Sequence, residues 1–315
     1  MVKIDLITGF LGSGKTTFIK KYATYLMRKG LNIGILENDH GAVNVDMMLL
    51  QELRGDQCEL EMISGGCDAE THRRRFRTKL ISMGMCGYDR VLVEPSGIYD
   101  IDEFFDVLRD ESLDRWYEIG NVIAVVNAGL EETLSDQAEF LLASEVADAG
   151  SIILSRSQEV PVTKQDATIE HLNRSLVKLG CRRQIKGDEV LRSPWNEWTE
   201  REFEQVLSGG YRTESYRKPE YREDQGFQSL YYMNLQIKKE ELKEKMKEAL
   251  KDPACGKLFR IKGFMQDENE KWIELNATQY EIQMNPVGEG QNVLIVIGEG
   301  LEEDALAKYF GTPAR

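Results

Sequence analysis

Residues 2–29 read VKIDLITGFLGSGKTTFIKKYATYLMRK, and this stretch narrows the fold more than any other. Val2–Thr8 is a short β-type run. Residues 9–14 are glycine-rich, and residues 15–29 carry apolar side chains at helical spacing: Phe18, Ile19, Tyr22, Ala23, Leu26 and Met27. GFLGSGKT, from Gly9 to Thr16, satisfies G-x-x-x-x-G-K-[ST] at every fixed position. It also has the strand–loop–helix context that gives the pattern meaning. Glycines let backbone N–H groups turn inward around phosphate, and a lysine neutralises β and γ oxygens. Gly12, Ser13, Gly14, Lys15, Thr16 and Thr17 are therefore the expected nucleotide contacts, with the Thr16 hydroxyl on Mg²⁺ and the helix N-terminus adding partial positive charge.

Such a site also needs an acid near the metal. Arg90-Val91-Leu92-Val93-Glu94 is an apolar run ending in a carboxylate, followed by Pro95-Ser96-Gly97. Glu94 thus falls at the C-terminal end of a strand, where the acid of a second phosphate-site motif belongs. Further apolar runs at 33–36, 122–126 and 152–154 alternate with segments of helical length at 102–109 and 135–147. That alternation predicts a parallel sheet covered on both faces. Residues 211–226, YRTESYRKPEYREDQG, lack apolar anchors and read as a connection, dividing the chain into 1–210 and 227–315. Beyond it the pattern becomes α+β: strands at 228–237, 256–264, 271–275, 279–284 and 292–297, with helices at 238–250 and 302–310.

Composition excludes some functions. Lys and Arg number 40 against 54 Asp and Glu, a net charge of −14 that repels polyanions, so nucleic acid and anionic membrane surfaces are not expected partners. The Arg73-Arg74-Arg75 run reads as a solvated helix face. Five dispersed cysteines without CxxC spacing point to reduced thiols and a cytoplasmic setting. No window approaches the roughly 18 consecutive apolar residues of a membrane span. His171 lies in a polar helical stretch at 166–178 and reads as solvated or capping.

GFLGSGKT, then Glu37-Asn38-Asp39-His40-Gly41, then Gly65-Gly66-Cys67, then Glu94-Pro95-Ser96-Gly97 together resemble the CobW, UreG and HypB group of P-loop GTPases. The CobW branch is the nearest, because Lys257–Phe264 (KLFRIKGF), Trp272 and Val293–Gly298 (VLIVIG) resemble its C-terminal domain. The resemblance implies an α/β P-loop NTPase fold, a mostly parallel sheet sandwiched by helices, with a smaller α+β C-terminal domain. It also implies a slow Mg²⁺-dependent GTP hydrolase acting as a switch that delivers a metal or metal cofactor to a client metalloprotein or cofactor enzyme. Zinc, cobalt and nickel are the usual cargoes of the group, and its members often form homodimers. Lys15, Asp39 and Glu94 become the expected catalytic residues, Thr16, Asp46 and Glu94 the magnesium set, and Asp39 and Asp46 part of the switch that senses the γ-phosphate.

Two departures qualify that picture. CobW-type proteins usually carry Cys-x-Cys-Cys, whereas this chain reads Cys67-Asp68-Ala69-Glu70 within SGGCDAETHRRR. Cys67, Glu70 and His72, with Glu37 from the preceding loop, offer mixed S, O and N donors for Zn²⁺ or Co²⁺. The alternative is a nucleotide-gated accessory module without metal cargo. The guanine motif Asn-Lys-x-Asp is replaced by Ser155-Arg156-Ser157-Gln158. Arg156 and Gln158 are then the expected base contacts, with Glu159 one residue further on. Because Gln158 offers one acceptor and one donor where guanine presents two donors, relaxed selectivity or a shift from GTP toward ATP is expected.

Overall fold

The computed structural model describes residues 1–38, 45–63, 69–97, 99, 101–218, 227–279 and 281–314. The chain divides into two compact units, Met1–Pro219 and Glu220–Arg315. In the first, strands β1 (Val2–Thr8), β2 (Ile33–Asn38), β3 (Cys58–Ile63), β4 (Arg90–Pro95), β5 (Tyr117–Asn127), β6 (Ser151–Ser155) and β7 (Val190–Leu191) form one sheet. Their spatial order is β3-β2-β4-β1-β5-β6-β7, and all pairs are parallel. Helices α1 (Lys15–Arg28), α2 (Val45–Leu50), α3 (Ala69–Gly84), α4 (Ile101–Leu108), α5 (Glu111–Asp114), α6 (Asp136–Ala147), α7 (Val162–Lys178) and α8 (Glu200–Leu207) connect and cover these strands.

The central strands are apolar on both faces because both faces are covered: β2 and β4 are buried at every position, and two separate apolar clusters lie on the two sides of the sheet. Strand β3, at the edge, alternates instead as CELEMI, with Cys58 and Ile63 buried and Glu59 exposed. Helix α3 places His72, Phe76, Leu80 and Met83 on its inner stripe, at helical spacing, and leaves Arg73, Arg74 and Arg75 exposed.

Polar groups also hold the sheet. Asp5, fully buried on β1, accepts from both the Arg90 guanidinium and the Tyr22 hydroxyl, 3.0 Å away, and from the Asn121 backbone N–H at 2.8 Å. His171 is not solvated: it is buried, with Nε2 2.7 Å from Glu139 Oε1 on α6, because the polar-looking α7 packs this side against its neighbour. Residues 211–218 run along the first unit, where the Arg212 N–H donates to Asp148 O and the Glu214 N–H to Asp148 Oδ1.

In the second unit, β8 (Phe227–Met233), β9 (Lys257–Gln266), β10 (Trp272–Ala277), β11 (Ile282–Pro286) and β12 (Val293–Glu299) form an antiparallel sheet in the order β11-β10-β9-β12-β8. Helices α9 (Lys239–Ala249) and α10 (Glu303–Phe310) cover one face, so strand residues alternate between buried and part-exposed, as along β10.

Candidate nucleotide-binding site

Strand β1 is central: the chain leaves it for β2 and β3 on one side, then returns through β4 and crosses over it to β5 and β6 on the other, so the winding reverses here. A crevice opens outside the carboxyl ends of strands at such a point. The loop that fills it, residues 9–14, starts hard against β5. A Cβ on Gly9, whose φ is +151°, would stand 2.2 Å from Val125 O and 2.6 Å from Ser13 Oγ, so only glycine fits. The Ser13 N–H donates to Phe10 O at 3.1 Å, closing the turn, and α1 begins at Lys15. The Lys15 side chain folds back over the loop, and Nζ donates to Gly9 O at 2.8 Å. Among the described residues, the buried Ser13 Oγ has no hydrogen-bond partner. A buried hydroxyl without a partner, a buried ammonium and the start of a helix together suit a bound anion. Thr17, next in the chain, is exposed beside the mouth of a cleft it shares with Lys20, Lys21, Trp195 and Trp198.

The expected acid meets this loop. Thr16 Oγ1 donates to Glu94 Oε1 at 2.8 Å, joining the first turn of α1 to the end of β4. Glu94 pairs in register with Glu37 of β2, which puts two buried carboxyl groups side by side on one face of the sheet. Beyond Glu94 the chain passes directly over the loop: a Cβ on Gly97 would lie 2.9 Å from the Leu11 nitrogen and 3.0 Å from its Cα. Hydroxyl and carboxylate oxygens are hard donors and suit Mg²⁺.

Two residues of the site carry no motif. Glu145 of α6 is buried, close enough to Lys15, Thr8 and Gly9 for each of them to favour its ionised form. Burial pushes its pKa up to about 8, against the pull of the Lys15 charge. Trp195, on the segment after β7, lays its indole against the loop: Cη2 lies 3.1 Å from where a Cβ on Gly14 would stand, and Ser155 Cβ 3.8 Å. Its ring also packs on Phe18, with centroids 6.1 Å apart. A Ser-Pro-Trp-Asn turn was the visible signal for Trp195; Glu145 had none.

On the expected base side, Arg156 takes a left-handed backbone conformation (φ 55°) and is half-buried, while Gln158 and Glu159 are exposed on the short helical turn that follows. Among the described residues, the expected metal donors Glu37, Glu70 and His72 do not form a group. Glu70 is exposed and His72, two positions on, is fully buried, so α3 turns them to different sides. Asp39, His40, Cys67 and the side chain of Asp46 lie outside the described residues. Among the described residues, no three His, Cys, Asp or Glu side chains come together as a metal group.

A glycine loop between a central parallel strand and a helix, with a lysine folded over it and an acid at the next strand's end, defines a P-loop nucleotide-binding protein. The chain belongs to the CobW/HypB/UreG family: that family's nucleotide-binding domain matches residues 3–185, and the cobalamin synthesis protein CobW C-terminal domain matches residues 234–312. Among curated proteins it is similar to the zinc chaperone YjiA of Escherichia coli, 28% identical over 58% of this chain and 56% of that protein. It is also similar to the zinc chaperone YeiR of the same organism, 28% identical over 53% of this chain and 50% of that protein. The chain thus spans about half the length of these curated relatives. Among solved structures, Zn(II)-bound YjiA GTPase from E. coli covers 98% of both chains, at 18% identity and a TM-score of 0.35. Among the described residues, no helix is long and apolar enough to cross a membrane.

Proposed function

We propose that the chain is a Mg²⁺-dependent nucleoside triphosphatase that uses GTP as a switch in delivering a metal, Zn²⁺ or Co²⁺, to a client metalloprotein or cofactor enzyme. The observation that carries this reading is the Thr16–Glu94 hydrogen bond beside the Lys15-covered loop. Thr16 and Glu94 would hold Mg²⁺, which supplies charge neutralisation at the β and γ phosphates when bound. Lys15 offers its ammonium to the same oxygens, and Gly9–Gly14 backbone N–H groups orient them. The names of YjiA and YeiR, both zinc chaperones, support a metal-linked role.

The test is phosphate release from GTP and ATP with and without Mg²⁺, in wild type and Lys15→Ala. Loss of the ammonium is expected to lower turnover by about 10²-fold or more. Unchanged turnover would overturn the reading of the loop. Metal transfer is tested separately by Zn²⁺ and Co²⁺ titration of wild type and Cys67→Ser. The separation of Glu70 from His72 favours a second reading, a nucleotide-gated accessory module without cargo, and that reading stands if neither ion binds and Cys67→Ser changes nothing.

A further inference from the structure

Trp195 stands where a nucleoside has to pass. A nucleotide whose phosphates lie in the loop at residues 9–14 runs from there toward the turn after β6, which carries the expected base contacts and follows directly on Ser155. Trp195 reaches the same place from the segment after β7. Cη2 and Cζ2 of its indole lie 3.1 and 3.6 Å from where a Cβ on Gly14 would stand, and Ser155 Cβ lies 3.8 Å from the same point. The last glycine of the loop, the end of β6 and the edge of the indole therefore meet.

The ring is held without being enclosed. Phe18 of α1 packs against it with centroids 6.1 Å apart, and Trp198 meets the same Phe18 ring edge-on at 6.0 Å. The Trp198 Nε1–H donates to Ser193 O at 2.9 Å, which fastens the chain on both sides of residue 195. Phe18 is fully buried, whereas Trp195 is half-buried and lines a cleft of about 520 Å³ together with Thr17, the exposed residue two past Lys15. A large apolar ring left partly open to water forgoes burial that a more deeply placed ring would gain. Beside a phosphate loop, a fixed aromatic surface with an open side has an obvious complement in the face of a base, because every base has a π-face to stack.

We propose that Trp195 is a nucleoside-binding residue: its indole is the platform on which the base stacks, so the site takes purines by their faces more than by their hydrogen-bonding edges. The inference rests on residues 9–16 being the phosphate site. Stacking serves guanine and adenine alike and supplies affinity with little preference between them. That fits a chain whose base-side turn offers the amide of Gln158 where an ionised carboxylate would read guanine's two donors. It also gives the segment after β7 a direct part in binding, since the residue that touches Gly14 is the one that would carry the base.

The experiment is titration of the full chain with Mg²⁺-GDP, Mg²⁺-ADP and Mg²⁺-pyrophosphate, read by calorimetry and by tryptophan fluorescence, in wild type, Trp195→Ala and Trp195→Phe. Trp195→Ala is expected to lose about tenfold in affinity for both nucleoside diphosphates and nothing for pyrophosphate, and Trp195→Phe to restore most of that loss. In wild type GDP is expected to quench the fluorescence and pyrophosphate to leave it unchanged. Trp195→Phe is expected to abolish the quench although Trp116, Trp198 and Trp272 remain. An equal loss for GDP and pyrophosphate in Trp195→Ala would mark a ring that only shapes the loop, and a gain in GDP affinity would mark a plug. Either overturns the proposal, as does a quench that survives in Trp195→Phe. The fluorescence arm needs only wild type and the conservative variant, so it decides the matter even if Trp195→Ala fails to fold. Wild type that binds neither GDP nor pyrophosphate would overturn the nucleotide-site reading instead.

Discussion

The Thr16 hydroxyl donates to Glu94 Oε1 across 2.8 Å, tying the helix that follows the phosphate loop to a strand 78 residues further along the chain. A hydroxyl and a carboxylate at that separation are close enough for one small hard cation to accept oxygens from both. Thr16→Ala is therefore expected to abolish the gain in nucleotide affinity that Mg²⁺ brings while leaving Mg²⁺-free binding nearly unchanged, measured by titration with and without a chelator. Glu94→Gln keeps the hydrogen bond from Thr16 but removes the charge. Its turnover is expected to fall by about 10²-fold with nucleotide binding retained, a split that phosphate-release kinetics would show.

At the other end of the same strand, Asp5 and Arg90 form a fully buried ion pair whose remaining oxygen and hydrogen-bond demands are met by Tyr22 and Asn121. Burial pushes Asp5 up and the Arg90 guanidinium pulls it down. Removing one partner leaves an uncompensated buried charge, and that costs more than the intact pair gains over apolar packing. Arg90→Ala is expected to destabilise the chain by about 3–5 kcal/mol, seen as a lower urea midpoint at unchanged slope.

The parts of the fold readable from the sequence are those in which local pattern and burial agree. Strands β1, β2, β4, β5 and β6 stand out as apolar runs because both faces of the sheet are covered, and GFLGSGKT and Glu94-Pro95-Ser96-Gly97 carry their chemistry within a few consecutive residues. Strand β3 was not legible, because at a sheet edge it needs only one buried side and spends two of its six positions on glutamate. Strand β7 has two residues, too few to show a period. His72 reads as a ligand candidate beside Cys67, and only the fold shows that it is buried on the inner stripe of α3, one turn before Phe76. Glu145 was invisible for a different reason. In ASEVA it reads as an ordinary helix position, and only the fold brings it near Gly9 and Lys15.

That buried acid also sets a pH dependence of stability. Glu145 holds its proton more tightly folded, with its pKa pushed up to about 8, than unfolded, where a glutamate loses it near 4.3. Its contribution to stability is thus fully present below about pH 4.3 and drains away as pH rises through about 8. Glu145→Gln has no proton to lose. Its melting temperature relative to wild type is expected to climb between about pH 5 and 8 and level off above, a difference on the order of a few kcal/mol at the plateau. Parallel thermal melts across that range would refute the assignment if the gap stays constant.

Base selectivity offers the cleanest separation of local chemistry from fold. Gln158 is exposed on a turn whose middle is anchored from beneath, where Gln165 Nε2 donates to Ser157 O at 2.9 Å, so its side chain can be exchanged at little cost to folding. Guanine presents the N1–H and the N2 amino group as donors; an ionised aspartate accepts both, and an amide must turn one of its own donors toward them. Sites built to match a hydrogen-bonding edge discriminate strongly, and sites with one group reversed lose much of that preference. Wild type is expected to favour GTP over ATP by less than about a hundredfold, and Gln158→Asp to widen the ratio about tenfold or more by strengthening GTP binding with ATP binding unchanged or weaker. Titrating both nucleotides into both proteins checks it. If Gln158→Asp leaves the ratio where it was, the turn after β6 does not read the base, and the selectivity would have to come from the other wall of the site, where Trp195 stands against Gly14.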